Sequence, residues 1–194
     1  DGELDEGMIK SKLNISPSTI TTLIKQGIIV KTDNLIYRNP INRKYSHTAR
    51  CRLNPEQSYV VNSIIEDYDS QKRETYLLKG VTGSGKTEVY LEIIEHVLSM
   101  DKQVIMLIPE IALTYQTVMR FYRRFGGVVS ILNSRMSKGE RYDQYLRAKR
   151  GEIKIMIGPR SALFTPFDKL GLIVIDEEHE GAYKSDSVPK YHAR

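Results

Sequence analysis

At 194 residues with 40% hydrophobic content, the chain can bury a real core, as one large domain or a small one plus a medium one. Its net charge of +5 leans toward an anionic partner, and its single cysteine, Cys51, excludes an internal disulfide or a cysteine-based zinc site within these residues. Apolar runs fall short of the ~18–20 residues that span a membrane, and the start of the chain has no signal-peptide pattern, so a cytoplasmic protein is expected.

Residues 1–37 read as a winged-helix (α+β) domain. Leu4, Met8, Ile9 and Leu13 recur at helical spacing. A second helix starts with Ser16 as N-cap and Pro17 at its first position, buries Ile20, Leu23 and Ile24, and ends at Gly27. Ile28-Ile29-Val30 and Leu35-Ile36-Tyr37, joined by a polar turn at Asp33-Asn34, predict a hairpin. Ser18, Thr19, Thr22 and Lys25 would form the exposed side of the second helix. Two uses of such a module stand level: DNA binding through that side, or packing alone.

Residues 38–53 carry Arg38, Arg43, Lys44, Arg50 and Arg52 with no acidic residue, and read as a basic linker. Such a run is a solvated connection or a path for a nucleic-acid backbone. From residue 54 to 194 the pattern is α/β. Asn54-Pro55-Glu56-Gln57 opens a helix with Val60, Val61, Ile64 and Ile65 on its inner side, and Gln57 can close a capping box with Asn54. Tyr76-Leu77-Leu78 predicts a short buried strand, and residues 88–100 a helix. Runs at 103–108, 128–132, 153–157 and 172–175 are rich in Ile, Val and Leu, as strands buried on both faces should be. Helical patterns at 114–125 and 137–150 lie between them, the latter opened by a Ser137/Glu140 capping box. Alternation of this kind gives a mostly parallel sheet with helices on both sides.

Two stretches carry chemistry. Gly80 to Thr87 reads GVTGSGKT and fits G-x-x-x-x-G-K-[ST]. Its glycines let the loop wrap a phosphate chain with backbone N–H groups pointing inward. Lys86 supplies a compact charge for the β- and γ-phosphates, and the Thr87 hydroxyl can ligate Mg²⁺. The second stretch is Leu172-Ile173-Val174-Ile175 running into Asp176-Glu177-Glu178-His179. An acidic residue at the end of a buried strand is where phosphate-loop proteins hold Mg²⁺, so Asp176 is the metal residue and Glu177 the base for an attacking water. His179 is either a hydrogen-bonded filler or a link between the acids and the rest of the site.

With these stretches in order, GVTGSGKTEVYL (80–91), LIPEIALTYQ (107–116), IGPRSALFTPF (157–167) and LGLIVIDEEHEGAYKSDSVPKYHAR (170–194), the chain resembles the PriA-type primosomal helicases of bacteria, in helicase superfamily 2. The resemblance implies a RecA-like P-loop NTPase lobe behind a winged helix, and a DNA-dependent ATPase that moves 3′ to 5′ on single strands. It implies ATP and Mg²⁺ as cofactors, and forked and single-stranded DNA, primosome proteins and single-strand-binding proteins as partners of a monomer without membrane attachment. Gly80, Thr82, Gly83, Ser84, Gly85, Lys86 and Thr87 then hold the nucleotide phosphates, and Gln57 reads adenine alongside its capping role. Pro109–Ala112 and Gly158–Ser161 match loops that grip the DNA backbone, with Arg160 and Ser161 its ligands. Residues 180–194 look like an aromatic-rich loop in which Tyr183, Lys184, Tyr191, His192 and Arg194 offer stacking faces and charge to single strands. The plain alternative is a surface loop whose tyrosines pack locally.

Three positions depart from the family pattern: Tyr115 stands where Pro is common, Asn133 where His is common, and Pro159 where Thr is usual. The Ser-Ala-Thr motif, the second motor lobe with its arginine finger, and the zinc insert of the family are not in these residues, so the chain reads as a fragment with half an ATP site. Two other classes compete: a nucleotide-responsive winged-helix regulator, and a DEAH-type RNA helicase.

Overall fold

A computed structural model describes residues 15–30, 51–81, 83–186 and 188–194. The chain divides into two compact units, Asp1–Arg38 and Asn39–Arg194. In the first, helix α1 (Pro17–Lys25) forms as its sequence demands. Ser16 Oγ accepts the Thr19 N–H at 3.2 Å, and Ile20 is its buried residue. At the other end Gly27 takes a left-handed φ of 70°, and the Ile28 N–H returns to the Leu23 carbonyl at 3.1 Å. That closure overturns the expected strand at Ile28-Ile29-Val30. The Ile28 and Ile29 donors both turn back to Leu23, so the segment is an exposed turn and bend. The first helix and second strand of the anticipated winged helix lie outside the described residues, as do residues 38–50 of the basic linker.

The second unit is an α/β lobe. Helix α2 (Pro55–Asp69) is opened by a full capping box: Asn54 Oδ1 accepts from the Gln57 N–H at 2.8 Å, and Gln57 Oε1 from the Asn54 N–H at 2.9 Å. Then follow α3 (Lys86–Ser99), β1 (Gln103–Leu107), α4 (Tyr115–Phe125), β2 (Val129–Ile131), α5 (Lys138–Lys149), β3 (Ile155–Gly158) and β4 (Leu170–Ile175). The four strands make one wholly parallel sheet in the order β2-β3-β1-β4.

Strand alternation builds the two cores. Val104 and Met106 of β1, with Ile155 and Ile157 of β3, face a cluster completed by Leu91, Ile94 and Val97 of α3 and Val118, Phe121 and Tyr122 of α4. Ile105, Leu107 and Met156 point the other way, onto Ala148 of α5, Leu132, Ala162 and Tyr183. Each fully buried aliphatic side chain contributes about 1.5–3 kcal/mol. Arg124 of α4 ties the first layer together by ion pairs to Glu92 and Glu95 of α3.

Two expectations fail at the far side of the sheet. Tyr76 and Leu77 form no strand and are 41% and 76% exposed. Tyr76 is drawn instead to α2, where its hydroxyl donates to Asp67 at 2.6 Å. Consequently β4 is an edge, and only partly buried, with Leu170 and Ile173 43% and 41% exposed. Gly171 allows the neighbouring elements their close approach. A β-carbon there would come within 2.7 Å of the Tyr68 hydroxyl and of Lys102.

Candidate active site

In a parallel sheet every strand delivers its following loop to the same end, and ligands of such sheets bind outside the carboxyl ends. Here that end gathers the loop after β1 (109–114), the turn after β3 (Arg160–Phe164) and Asp176 onward after β4. The phosphate-loop motif joins them through α3. Gly85 is the N-cap of α3 with φ 83°, a backbone that favours glycine, and no side chain caps the helix. The N–H groups of Lys86 and Thr87, which open the helix, stand at the positive end of its dipole, where an anion is favoured.

Lys86 spans the loop from its far end. Its Nζ donates to the carbonyls of Gly80 at 2.7 Å and Val81 at 3.0 Å. Gln57 does two jobs simultaneously: beside its cap, its Nε2 donates to the Ser84 carbonyl at 3.0 Å. A β-carbon at Gly85 would run into that same amide. Gly80 and Gly83 line the exposed part of the loop, Thr87 is half-buried at the start of α3, and Thr82 lies outside the described residues.

Asp176 sits where β4 leaves the sheet, its N–H still bonded to the Leu107 carbonyl at 2.9 Å. Burial pushes its carboxyl above the usual carboxylate range, and the neighbouring Glu177 charge adds to this. The Glu177 N–H, Lys86 and the Tyr90 hydroxyl pull the other way. The Lys86 charge thus acts on the Asp176 carboxyl across the site. Glu177 adopts φ 51° and donates its N–H to Asp176 Oδ1 at 3.1 Å, leaving its own carboxylate 45% exposed. His179 is more exposed still, with Nε2 3.5 Å from Glu177.

Tyr90 was not among the residues expected here. Its phenol is pushed up to about 12, first by burial and then by the nearby Asp176 charge. The available signal was spacing, because Tyr90 lies one helical turn past Lys86 on the same face.

The residues assigned to DNA divide. Ser161 is half-buried, Lys184, His192 and Arg194 are exposed, and Tyr191 is half-buried with its ring 5.0 Å from Phe164 in an edge-to-face contact. Arg194 pairs with Glu178 at 2.6 Å. Tyr183 needs correction. It is fully buried, packed among Ile105, Leu107 and Ala162, and has no face to offer a base. Arg160 is also turned inward, donating to the carbonyls of Ala182, at 3.2 Å, and Lys184. In both cases backbone acceptors at the sheet end satisfied a polar group that a linear reading sends to solvent. After β1, Glu110 accepts the Ser134 N–H at 2.6 Å, joining the loops that follow β1 and β2.

Comparison with known proteins agrees with this arrangement. Residues 50–193 match the family model described as Type III restriction enzyme, res subunit. The chain is 45% identical over 184 residues to the replication restart protein PriA of Bacillus subtilis (strain 168), covering 94% of this chain and 23% of that one. It is 46% identical to PriA of Chlamydia muridarum, covering 94% and 25%, and 40% identical to PriA of Synechocystis, covering 92% and 21%. It thus spans about a quarter of the length of these curated relatives. With a parallel α/β lobe and a phosphate-loop site already in place, the chain belongs to the Type III restriction enzyme res-subunit family and, within it, is similar to PriA-type replication restart proteins.

Proposed function

We propose that this chain is part of an ATP-driven DNA helicase that acts in replication restart, moves 3′ to 5′ and engages forked and single-stranded DNA. One observation carries the reading: the phosphate-loop Lys86 acts electrostatically on Asp176, at the sheet end from which the loops at 109–112, 158–161 and 181–194 also emerge. A hydrolysis site and a surface for a polymer share one end of the lobe. The similarity to PriA proteins supports the choice of DNA and of replication restart.

The donor set fits Mg²⁺. The Thr87 hydroxyl and the Asp176 carboxylate are hard oxygen ligands, and the carboxylate is half-buried beside the phosphate loop. Bound there with ATP, the ion would neutralise charge on the β- and γ-phosphates. The protein's own groups do the rest. Lys86 leaves the Gly80 and Val81 carbonyls for the phosphate oxygens, while the loop N–H groups hold the chain in line. Glu177, exposed and next to Asp176, takes the proton of a water whose oxygen attacks the γ-phosphorus. The bond from that phosphorus to the bridging oxygen breaks and ADP leaves with the electron pair. Gln57 would read adenine, and its bond to the Ser84 carbonyl would report it to the loop.

The test uses the full-length protein. DNA-stimulated ATPase and unwinding of a forked duplex are expected, and Lys86→Ala should abolish both. Near-normal turnover by that variant, or stimulation by RNA in preference to DNA, would reject the reading. The segment 1–194 alone is expected to hydrolyse ATP negligibly.

A further inference from the structure

Tyr183 and Arg160 do something the DNA-contact reading leaves unexplained. The Tyr183 hydroxyl lies 2.5 Å from the Asp176 carbonyl and 3.1 Å from the Leu107 carbonyl. It has one proton for two acceptors, so it laces the end of β4 to the end of β1 at the residue assigned to Mg²⁺. Arg160 grips the main chain on both sides of Tyr183, at Ala182 and at Lys184. The segment then closes on itself. Ser185 N–H reaches the Tyr191 carbonyl at 2.8 Å, Ala193 N–H reaches the Tyr183 carbonyl at 3.1 Å, and Lys184 bridges His192. Ser185 and Ala193 are buried with Tyr183, whereas Val188 is 89% exposed.

We propose that Tyr183 is a positioning residue for the hydrolysis site, with Arg160 as the clasp that holds it there. Its hydroxyl fixes the main-chain carbonyl of Asp176 and so sets where the carboxylate stands relative to Lys86. Arg160 works inside the protein, on carbonyls, instead of on a DNA phosphate. The proposal rests on the ATP-hydrolysis reading above. Its physical basis is that a ligand's outer-shell partner sets ligand orientation, and losing such a partner typically weakens metal affinity without removing the site.

The test is a Mg²⁺ titration of nucleotide binding by the full-length protein, read with a fluorescent non-hydrolysable ATP analogue. Tyr183→Phe keeps the buried ring and removes only the hydroxyl. We expect its half-saturating Mg²⁺ to rise about tenfold, with Mg²⁺-free nucleotide binding, thermal midpoint and single-strand affinity close to wild type. Arg160→Met, which removes the Nη1 that donates to both carbonyls, should move the Mg²⁺ midpoint the same way and serves if Tyr183→Phe does not fold. Unchanged Mg²⁺ midpoints in both variants would overturn the proposal. So would a loss of single-strand affinity with Mg²⁺ dependence intact, which returns both residues to the DNA. A wild-type protein without DNA-stimulated ATPase would instead remove the helicase reading, and this inference with it.

Discussion

The residue that most repays attention is Gly85. It is the N-cap of α3 at φ 83°, and the Gln57 amide occupies the space a β-carbon would need. Gly85→Ala therefore adds about 1–2 kcal/mol of left-handed strain and pushes Gln57 off the Ser84 carbonyl. The expected result is a large loss of nucleotide affinity in a fluorescence titration, with a smaller drop in thermal midpoint. Unaltered affinity would show that the contact between Gln57 and the loop is incidental. Gln57→Ala separates the two roles of that side chain. It removes the reciprocal half of the α2 cap, at about 1 kcal/mol, together with the tie to the loop. Both the stability of α2 and ATP binding should fall, and a variant that loses only stability would leave Gln57 as a cap alone. These roles were partly legible in the chain itself. The motif fixes which residues wrap a phosphate, because the spacing is set by the loop. It says nothing of where Gln57 Nε2 goes, since that partner is 27 positions away.

Among the elements, the amino ends of the strands are held by a separate polar knot. Asp101, in a left-handed turn after α3, reaches Lys154 ahead of β3 at 2.8 Å and Lys169 ahead of β4 at 2.5 Å. The Lys154 hydrogen bond, then that of Lys169, holds the Asp101 carboxyl down at about 2. Because the folded value lies below the ~3.9 of an unfolded aspartate, the folded state gains from ionised Asp101 at pH above about 4. That gain disappears as pH falls through about 2. Asp101 and Lys169 are solvent-exposed and Lys154 partly so, so salt screens the effect. Asp101→Asn should lower the urea midpoint modestly at pH 7, less at high salt, and progressively less as pH falls from about 4 toward about 2. A difference that does not shrink over that range would assign it to the turn instead of the charges. Local signals predicted the helix starts well: Ser16, Asn54 and Ser137 each cap the helix they were expected to cap. What failed was the choice of hydrogen-bond partner. Tyr76 to Leu78 has strand composition, but Tyr76 bonds to α2. Ile28 to Val30 has it too, but the helix end takes the donors. Tyr183 was assigned to stacking by the family resemblance, while in the fold its hydroxyl is taken up by the carbonyls of Leu107 and Asp176.

At the level of the whole molecule, the lobe holds two layers over one sheet, and its chemistry sits at the carboxyl end. The parallel sheet with its flanking helices and the phosphate loop were readable from alternation and spacing, whereas the strand order and the extent of the sheet were not. That extent matters. β4 ends the sheet with a row of backbone groups that pair with no strand among the described residues, and Leu170 and Ile173 flank that row, partly bare. An open, apolar β-edge is a template that recruits any extended chain presented to it, another copy included. The isolated 194-residue chain should thus self-associate as its concentration rises, through edge pairing that draws copies out of solution. Ile173→Lys places a charge on that rim and should raise the monomer fraction in gel filtration, with the helix content unchanged by circular dichroism. Equal self-association of both proteins would clear the edge. For anyone handling this lobe alone, the limit on solubility would be set by one strand, on the side of the sheet away from β2.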